Sequence, residues 1–364
     1  MKILFILPSI GIGGGVRIVI EYANHLVDRG HDVSVIYPYV LPSQLILRIN
    51  PNQYFIKKLA YSTIKTIRFL SKPKLVDNQR WFGLKAKLIE VPTLDEKFIP
   101  NADAIVATWW ETSFYVNDYG TDKGNKFYLV QGYEVWGGPK QLVHETYKLD
   151  LTKIVVARWL YYKLKYLGVP ENQMQHIPNA INFDSFKVNN PIKTRTPKIA
   201  MQFNDNIFKG AHDGIKALEI AKKDFPKLNV VLFGVSPRPR FLPGWMNYIQ
   251  EPSQEDLINK VYNQSSIYLC PSLTEGWHLP PAEAMACGCA IVSTDIGGVK
   301  DYAINNETAL LAPRKNPTLL AQNLLNLLKN NDLRIKLAFN GNEKIKQFNW
   351  EKSTDLFEHL LKVS

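Results

Sequence analysis

The chain has 364 residues, of which 46% are hydrophobic and 21% charged, and this composition excludes a disordered or low-complexity polypeptide. Its formal net charge of +11 predicts an acidic partner, which is a phosphate-bearing ligand, an anionic membrane surface or a nucleic acid. No run of about 18 apolar residues occurs, so the sequence predicts no membrane-spanning helix.

The first predicted element is a β-strand and not a signal peptide. The apolar run Ile3–Leu7 is short, no small-residue cleavage site follows it, and a glycine-rich turn comes directly after it. That turn lies in the loop Pro8–Arg17, whose glycines let backbone amides approach a ligand closely. A dinucleotide fingerprint is disfavoured, because Val16 replaces its third glycine and the second strand ends without an acidic residue. A turn that only needs glycine remains the alternative.

Short apolar runs then alternate with longer amphipathic stretches, which is typical of βαβ units and a parallel sheet. The predicted strands of the first half are Lys2–Leu7, Asp32–Tyr37, Ala104–Ala107, Phe127–Val130 and Ile154–Val156, with a helix at Val16–Arg29. Those of the second half are Lys198–Phe203, Asn229–Phe233, Ile267–Leu269, Ala290–Ser293 and Ala309–Leu311. The helices between them are Ala211–Lys223, Ser253–Tyr262, Pro281–Ala286 and Pro317–Lys329.

A polar, aperiodic segment with two prolines separates the halves and predicts a linker at 186–198. We therefore expect Rossmann-like domains at 1–185 and 199–348, facing each other across a cleft. In such sheets, ligands bind at the carboxyl ends of the strands.

The chain has three cysteines, Cys270, Cys287 and Cys289. An odd number without disulfide-framework spacing predicts a reducing compartment. No His or Cys stands near them at metal-finger spacing, so we expect buried, inert thiols.

The stretch from Glu275 to Asp295, EGWHLPPAEAMACGCAIVSTD, holds two carboxylates around a double proline. Proline suits the start of a helix, so a helix over Pro281–Ala286 would place Glu283 in its first turn. Backbone amides at such a start attract anions. A carboxylate favoured only by the helix dipole is the structural alternative for Glu283. Glycoside hydrolysis by paired carboxylates is a chemical alternative, but one acid in a loop and one on the next helix suits it poorly.

Together these motifs resemble the retaining glycosyltransferases with the GT-B fold, in particular family 4. Glu275 and Glu283 match the family's Glu-x7-Glu pair, and Gly297–Gly298 match the glycines after it. The N-terminal strand, loop and helix, the segments HIPNAINFDSF and NETALLAP, and the terminal FNWEKSTDLFEHLL also fit. The resemblance implies an α/β fold with two facing Rossmann-like domains and a C-terminal helix at 349–364 that returns to the first domain. It also implies a nucleotide-diphosphate-sugar donor in the second domain, an acceptor in the first, and neither metal nor cofactor.

The resemblance assigns roles to the residues of the motif. Glu283 would accept both ribose hydroxyls as charge-assisted hydrogen bonds, and Glu275 would accept from the transferred sugar. The backbone from Gly276 through Trp277 to Leu279 would face the diphosphate, whose charge grows as the glycosidic bond breaks. Gly14 and Gly15 would supply further amides to the donor.

Three departures from the family pattern bear on mechanism. His278 replaces a second glycine and is expected either to contact the ligand or to pack. Lys209–Gly210 match the family's Lys-Gly, but Asn204 stands at its Arg position, so Lys209 acts alone or is joined by Arg238 or Arg240. Gln131 replaces a histidine after a first-domain strand and cannot take a proton. A base, if one acts, would then be Glu134 or the departing phosphate.

Aromatic residues near the same strand ends are candidates for acceptor contacts. Trp109 and Trp110 follow the strand Ala104–Ala107, and Tyr133 follows Gln131. Aromatic faces suit sugar stacking, although tryptophans buried in the core are common.

Residues 48–90 hold ten Lys and Arg residues against two acids, a local net charge of +8. Apolar residues at helical spacing within 54–72 predict a basic amphipathic helix that binds an anionic membrane surface. The alternative is a helix that packs on its own domain. Nucleic acid is not expected, because no recognised module is present.

The sequence as a whole predicts a cytoplasmic, metal-independent, retaining glycosyltransferase of the hexosyltransferase type. It would transfer sugar to a glycan or lipid-linked glycan in polysaccharide biosynthesis, peripherally at the inner face of the cytoplasmic membrane. The alternatives are a nucleotide-sugar 2-epimerase of the same fold and a non-catalytic sugar-nucleotide binding protein.

Overall fold

Two parallel β-sheets organise the chain in a computed structural model, which describes residues 1–11, 13–39, 41 and 83–363. Unit 1 comprises Met1–Val156, Leu160–Ile177 and Thr354–Ser364, and unit 2 comprises Ala157–Trp159 and Pro178–Ser353. Each unit has its own sheet and helices, so the prediction of two Rossmann-like domains is confirmed.

The seven-stranded sheet of unit 1 has the order β3-β2-β1-β4-β5-β6-β7, with every pairing parallel. Its strands are β1 (Lys2–Ile6), β2 (Asp32–Pro38), β3 (Lys87–Val91), β4 (Ala104–Ala107), β5 (Asn125–Val130), β6 (Thr152–Val155) and β7 (Met174–His176). The helices are α1 (Gly14–Asp28), α2 (Trp110–Asp118), α3 (Lys140–Tyr147) and α4 (Arg158–Tyr166).

The two edge strands of this sheet escaped the sequence analysis. The central strands β1 and β4 read as continuous apolar runs because both of their faces are buried. At one edge, β3 is only partly buried and interrupted by charge, and at the other, β7 is three residues long. Neither edge strand produces an apolar run long enough to recognise.

The six-stranded sheet of unit 2 has the order β10-β9-β8-β11-β12-β13, again all parallel. Its strands are β8 (Lys198–Gln202), β9 (Asn229–Gly234), β10 (Met246–Gln250), β11 (Ile267–Cys270), β12 (Ala290–Thr294) and β13 (Ala309–Ala312). The helices that follow them are α5 (Ala211–Asp224), the segment Gln254–Asp256 that continues as the π-helix Leu257–Tyr262, α6 (Leu279–Ala286), α7 (Pro317–Lys329) and α8 (Asn331–Ile345).

The segment 186–198, predicted as a linker, is instead part of unit 2. Its Ile192 belongs to the hydrophobic core of that unit. The buried Arg195 guanidinium donates to the backbone carbonyls of Asn190, Ser265 and Cys287 at 2.6–3.0 Å. The linker prediction is wrong here because one buried cation with several carbonyl partners orders a polar, aperiodic stretch.

The last helix, α9 (Trp350–Val363), begins in unit 2 and continues in unit 1 from Thr354 onward. In unit 1, the Phe357 ring stacks on Tyr22 with centroids 4.3 Å apart and on Phe5 at 5.9 Å. Glu358 accepts from Arg29 at 2.7 Å and lies 3.0 Å from the His31 ring. The predicted C-terminal helix therefore returns to the first unit through apolar and ionic contacts.

All three cysteines are free and buried, as predicted. Burial raises the pKa of Cys270 to about 11 and that of Cys289 to about 12, so both remain thiols at neutral pH. Within the residues that the structure describes, no helix has the length and apolar character needed to cross a bilayer.

Candidate functional site

The helix α6 and the loop before it carry the carboxylate pair. The helix begins at Leu279 with His278 as its N-cap residue, and Pro280 and Pro281 lie in its first turn. Prolines fit there because the first four N–H groups of a helix have no partner within it. The predicted start at Pro281 is two residues late, and Glu283 lies in the second turn. The prediction of a first-turn acid is therefore wrong.

Glu275 is held by an ion pair with Lys209. The Lys209 ammonium lies 2.8 and 3.0 Å from the two carboxylate oxygens. The Glu275 side chain is largely buried. A Cβ on Gly298 would lie 2.6 Å from the Cβ of Glu275, so glycine is required for this close approach. Burial by itself raises the pKa of Glu275, but His278 and Lys209 outweigh it and hold that pKa below its ordinary value. The group is a carboxylate at neutral pH.

His278 lies beside Glu275 in a buried position. Its Nδ1 is 3.2 Å from the Cys270 sulfur, and its Nε2 is 3.3 Å from Glu275 Oε1. Its backbone is fixed as well, since its N–H donates to Gly298 and its carbonyl accepts from the Tyr302 hydroxyl at 2.7 Å. Burial lowers the pKa of His278 to about 4, so the imidazole is neutral at neutral pH.

Glu283 is 2% exposed, and its Oε2 accepts from the Tyr262 hydroxyl at 3.1 Å. Tyr262 is itself buried, so the carboxylate is oriented by a fixed donor. The structure places Glu283 on the same helix that His278 caps. Its assignment to the ribose remains a prediction.

The backbone between the two acids is anchored from the side. The Trp159 indole N–H donates to the Gly276 carbonyl at 2.7 Å. The Trp277 side chain is buried against Tyr302 and Phe348, with ring centroids 5.1 and 5.6 Å away. The Trp277 side chain is therefore part of the core, and the assignment of its backbone to a diphosphate remains a prediction.

The backbone of Lys209–Gly210 turns sharply where Gly210 lies against the backbone of Pro271. Gly210 has φ of +60°, and a Cβ there would lie 2.1 Å from the Pro271 carbonyl oxygen. This turn directs Lys209, the last residue of the 3₁₀ helix Ile207–Lys209, toward Glu275. The Asn204 side chain accepts from the backbone of Asn206 at 2.8 Å and so closes the preceding turn.

The two arginines named as substitutes for the family's Arg differ in their surroundings. Arg238 donates to the carbonyls of Met246, Leu242 and Pro243 at 2.7–3.3 Å, so its guanidinium holds its own loop together. Arg240 is exposed and remains a candidate for donor binding.

In unit 1, the glycine-rich loop meets the end of β5. Gly14 and Gly15 are the first residues of α1, and Gly13 is its N-cap residue. A Cβ on Gly15 would lie 3.3 Å from the Gln131 amide nitrogen, so the Gln131 side chain packs against the helix start. The structure thus brings two of the predicted segments together.

Glu134 is not an open base. It is 2% exposed, and its Oε2 accepts from the backbone N–H of Trp110 and from the Tyr128 hydroxyl, both at 2.8 Å. Burial raises the pKa of Glu134 to about 8, so this carboxyl carries a proton in most molecules at neutral pH. The prediction of Glu134 as a base is contradicted, because the carboxyl is buried and hydrogen-bonded to the first backbone N–H of α2 and to Tyr128.

The tryptophan pair divides between core and surface. Trp110 is 1% exposed and packs edge-on against Phe114, so its predicted acceptor contact is wrong. Trp109 is partly buried, and its ring lies 5.0 Å from that of Trp136, which is 58% exposed. Trp136 was not among the predicted acceptor contacts, although the Trp-Gly-Gly at the end of the Gln131 loop is a recognisable signal.

Tyr133, the third predicted acceptor contact, has its hydroxyl 2.6 Å from His144 Nε2 on α3. The Lys163 ammonium lies over its ring at 4.9 Å. The residue is partly exposed and remains an acceptor candidate.

Two Rossmann-like, all-parallel domains in one chain, with a Glu-x7-Glu pair on the second, define the GT-B fold. Residues 182–344 match the family of glycosyl transferases group 1, and this range lies within unit 2. This match confirms the coarse resemblance read from the motifs, which is to glycosyltransferases with the GT-B fold, and family 4 and a retaining mechanism remain predictions.

Comparison with individual proteins extends the match beyond unit 2. An uncharacterized glycosyltransferase of Methanocaldococcus jannaschii is 35% identical over 97 residues, which are 27% of this chain and 28% of that relative. An uncharacterized glycosyltransferase of Haemophilus influenzae is 25% identical over 99% of both chains. The Anabaena protein HepE, solved in complex with UDP-glucose, has a TM-score of 0.75 at 13% identity over 100% of both chains. The last likeness shows the fold alone.

Proposed function

We propose that the chain is a retaining, metal-independent glycosyltransferase of the hexosyltransferase type, which uses a nucleotide-diphosphate-sugar donor. The observation that carries this proposal is the buried carboxylate of Glu275, paired with Lys209 beside the start of α6. A helix start, a lysine and a carboxylate lie close together within unit 2, and they are the groups that a phosphate and a sugar would need.

The Lys209 ammonium supplies the charge that a diphosphate needs. In the free protein it is neutralised by Glu275. When the donor arrives, the ammonium would turn from the carboxylate to the phosphate oxygens, and Glu275 would then accept from hydroxyls of the transferred sugar. The exchange keeps both partly buried charges partnered, which offsets the cost of removing them from water.

The transfer itself follows from this placement. The bond between the sugar's anomeric carbon and the phosphate oxygen breaks, and negative charge grows on the departing diphosphate. Lys209 and the amides at the start of α6 would stabilise that charge in the transition state. A bond from the acceptor hydroxyl forms on the same face. Since Gln131 cannot take a proton and Glu134 carries one, the departing phosphate is the group that would accept the hydroxyl proton.

The acceptor is proposed to be a glycan or lipid-linked glycan bound by unit 1. The exposed ring of Trp136 on Trp109, together with Tyr133, offers aromatic faces of the kind that stack on sugars. A Staphylococcus aureus relative, 22% identical over 210 residues, is named for capsular polysaccharide biosynthesis, and HepE binds UDP-glucose. The first name supports a role in polysaccharide biosynthesis for this chain, and the second supports a nucleotide-sugar donor.

The proposed location is the cytoplasmic face of the membrane, reached through the basic residues 54–72. These lie outside the described residues, so sequence alone supports this step. Metal independence is proposed because Lys209 and the Leu279 N–H at the start of α6 would supply positive charge and hydrogen bonds to a diphosphate. A chelator such as EDTA should therefore leave turnover unchanged, and loss of turnover that Mg²⁺ restores would contradict this part of the proposal.

The central experiment is a thermal-shift panel of nucleotides and nucleotide sugars, because a ligand that binds only the native state raises its stability. Glu283→Ala should abolish or severely weaken the shift. Glu219→Ala, on the exposed face of α5, serves as the matched control. Wild-type nucleotide affinity in the Glu283 variant would contradict the assignment of the ribose contact.

Product analysis with the identified donor then separates the alternatives. An epimerase would convert the donor alone, whereas a transferase needs an acceptor. A sugar-nucleotide binding protein would show the thermal shift without any turnover.

A further inference from the structure

The His278 imidazole has one nitrogen that is partnered and one that is not. Nδ1 lies 3.2 Å from the buried Cys270 sulfur. Nε2 is buried and makes no hydrogen bond within the described residues, although Glu275 Oε1 is only 3.3 Å away. The Glu275 carboxylate is close enough to attract an N–H at Nε2, but the angle between the two groups does not suit a hydrogen bond.

The surroundings of the ring determine which nitrogen carries the proton. A lone pair on Nε2 would face the Glu275 carboxylate and be repelled by it, whereas an N–H at that position is attracted. The Cys270 thiol on the other side can donate to Nδ1, because its burial keeps it protonated. Both neighbours therefore favour the tautomer with hydrogen on Nε2.

The same three side chains resemble a cysteine–histidine–carboxylate nucleophile, but they cannot act as one. The Cys270 sulfur is buried at the end of β11, and burial raises the pKa of the thiol to about 11 and lowers the pKa of His278 to about 4, so no thiolate–imidazolium pair forms at neutral pH. Hydrogen-bond donation runs from the neutral thiol through the neutral ring toward the acid, as in such a nucleophile, but the buried thiol does not give up its proton.

A buried N–H without an acceptor is unfavourable unless a ligand supplies one. The unpaired N–H of His278 lies beside the carboxylate that, under the proposed function, accepts from the transferred sugar. A sugar hydroxyl placed between them would donate to Glu275 and accept from His278, which satisfies both groups at once.

We propose that His278 is a specificity-determining residue that donates its Nε2–H to one hydroxyl of the transferred sugar, the same hydroxyl that donates to Glu275, and that the Cys270 thiol fixes the tautomer. The inference rests on the proposed function and refines it. A hydroxyl held from both sides is recognised by position, so a donor that lacks it leaves two buried groups unpaired.

The test uses a panel of donors that each lack one hydroxyl of the transferred sugar, taken from the nucleotide sugar found in the thermal-shift panel. For wild type, removal of the recognised hydroxyl should lower kcat/KM by roughly 10- to 100-fold. In His278→Gly the same deoxy donor should lose part of that penalty, because only Glu275 is then left unpaired, while the other positions keep theirs. His278→Gln retains an N–H donor and should recover part of the discrimination.

Matched variants separate donation from support of the loop. Cys270→Ser keeps a donor to Nδ1 and should preserve the discrimination, whereas Cys270→Ala should weaken it at the same hydroxyl. Tyr302→Phe removes the hydrogen bond to the His278 carbonyl and leaves the imidazole chemistry intact. That variant should lower activity equally for all donors.

The outcomes are distinguishable from failure of the proposed function. If wild type binds no nucleotide sugar, the proposed function is wrong. If a donor binds and Glu275→Gln loses discrimination at one hydroxyl, but no hydroxyl depends on His278 or Cys270, the proposed function stands and this inference is overturned. If His278→Gly does not fold, His278→Gln and the Cys270 pair give the same decision.

Discussion

Single side chains in this protein show how burial changes the chemistry that a residue can perform. Glu275 and Glu134 are both nearly buried acids, but only Glu275 has a lysine within ion-pair distance. The pKa of Glu275 is therefore held down, while burial raises that of Glu134 to about 8. Glu275 is therefore a carboxylate at neutral pH, whereas Glu134 is mostly protonated and holds the start of a helix.

Glu134 provides a test of this distinction. Glu134→Gln keeps an acceptor oxygen for the Trp110 N–H and the Tyr128 hydroxyl, so stability and transfer activity should stay close to wild type. Glu134→Ala leaves both donors unpaired and should lower the free energy of unfolding by roughly 2–4 kcal/mol. Chemical denaturation and initial rates measure the two effects. A folded Glu134→Gln protein without activity would restore Glu134 as a base.

His278 should make folding sensitive to acid. Its pKa is about 4 in the folded protein and about 6.5 in the unfolded chain, so it is neutral in both states above pH 6.5. Between pH 6.5 and 4 the unfolded chain binds a proton that the folded protein does not, and the free energy of unfolding falls. The loss reaches about 3 kcal/mol near pH 4.

The measurement is urea denaturation at pH 7.5, 6, 5 and 4.5 for wild type and His278→Gln. The difference between the two proteins should shift in favour of the variant as the pH falls. A pH-independent difference would show that folding leaves the pKa of His278 unchanged.

At the scale of elements, α9 shows how a terminal helix is held in place. Phe357 is fully buried against Phe5 and Tyr22, so it joins the helix to β1 and α1. Glu358 adds ion pairs with Arg29 and with the neighbouring Lys362. The apolar contact dominates the stability, because exposed ion pairs contribute little.

Phe357→Ala should lower the free energy of unfolding by roughly 3–5 kcal/mol, which is typical for removal of a buried aromatic ring. Leu356→Ala, at an exposed position on the same helix, is the control and should change it by less than about 0.5 kcal/mol. Equal effects of the two substitutions would mean that the ion pairs, and not the apolar contact, hold the helix. Thermal and urea unfolding measure the free energy of unfolding of both variants.

At the scale of the whole molecule, the net charge of +11 and its concentration in residues 48–90 predict attraction to anionic surfaces. Each cation near an anionic bilayer contributes about 1 kcal/mol, so a cluster of four is enough to decide the partition. Transfer to a lipid-linked acceptor would benefit from that attraction, because it keeps the protein at the surface that presents the acceptor.

Replacement of Lys57, Lys58, Lys65 and Arg68 by Gln should release the protein from anionic liposomes in a sedimentation assay. Neutral phosphatidylcholine liposomes should bind neither protein. The control replaces Lys193, Lys216, Lys223 and Lys227 of unit 2, which changes the net charge equally. If the two quadruple variants sediment alike, total charge and not the 54–72 segment governs binding.

The sequence by itself determined the class of fold and the position of the motif. The central strands are buried on both faces and therefore appear as apolar runs, and the helices between them have clear amphipathic spacing. Glu275, Glu283 and Lys209 were recognisable because their chemistry depends on local order along the chain. The buried cysteines followed from their number and spacing.

Only the tertiary structure decided which candidate side chains are accessible and which are charged. Burial depends on residues far away in the chain, so no local pattern showed that Trp110 packs on Phe114, that Glu134 supports α2, or that Trp136 is exposed. The buried Arg195 likewise orders a segment that composition alone assigns to a linker. His278 is the sharpest case, because its role depends on Cys270 at one nitrogen and Glu275 at the other, and folding alone brings the two to opposite sides of one ring.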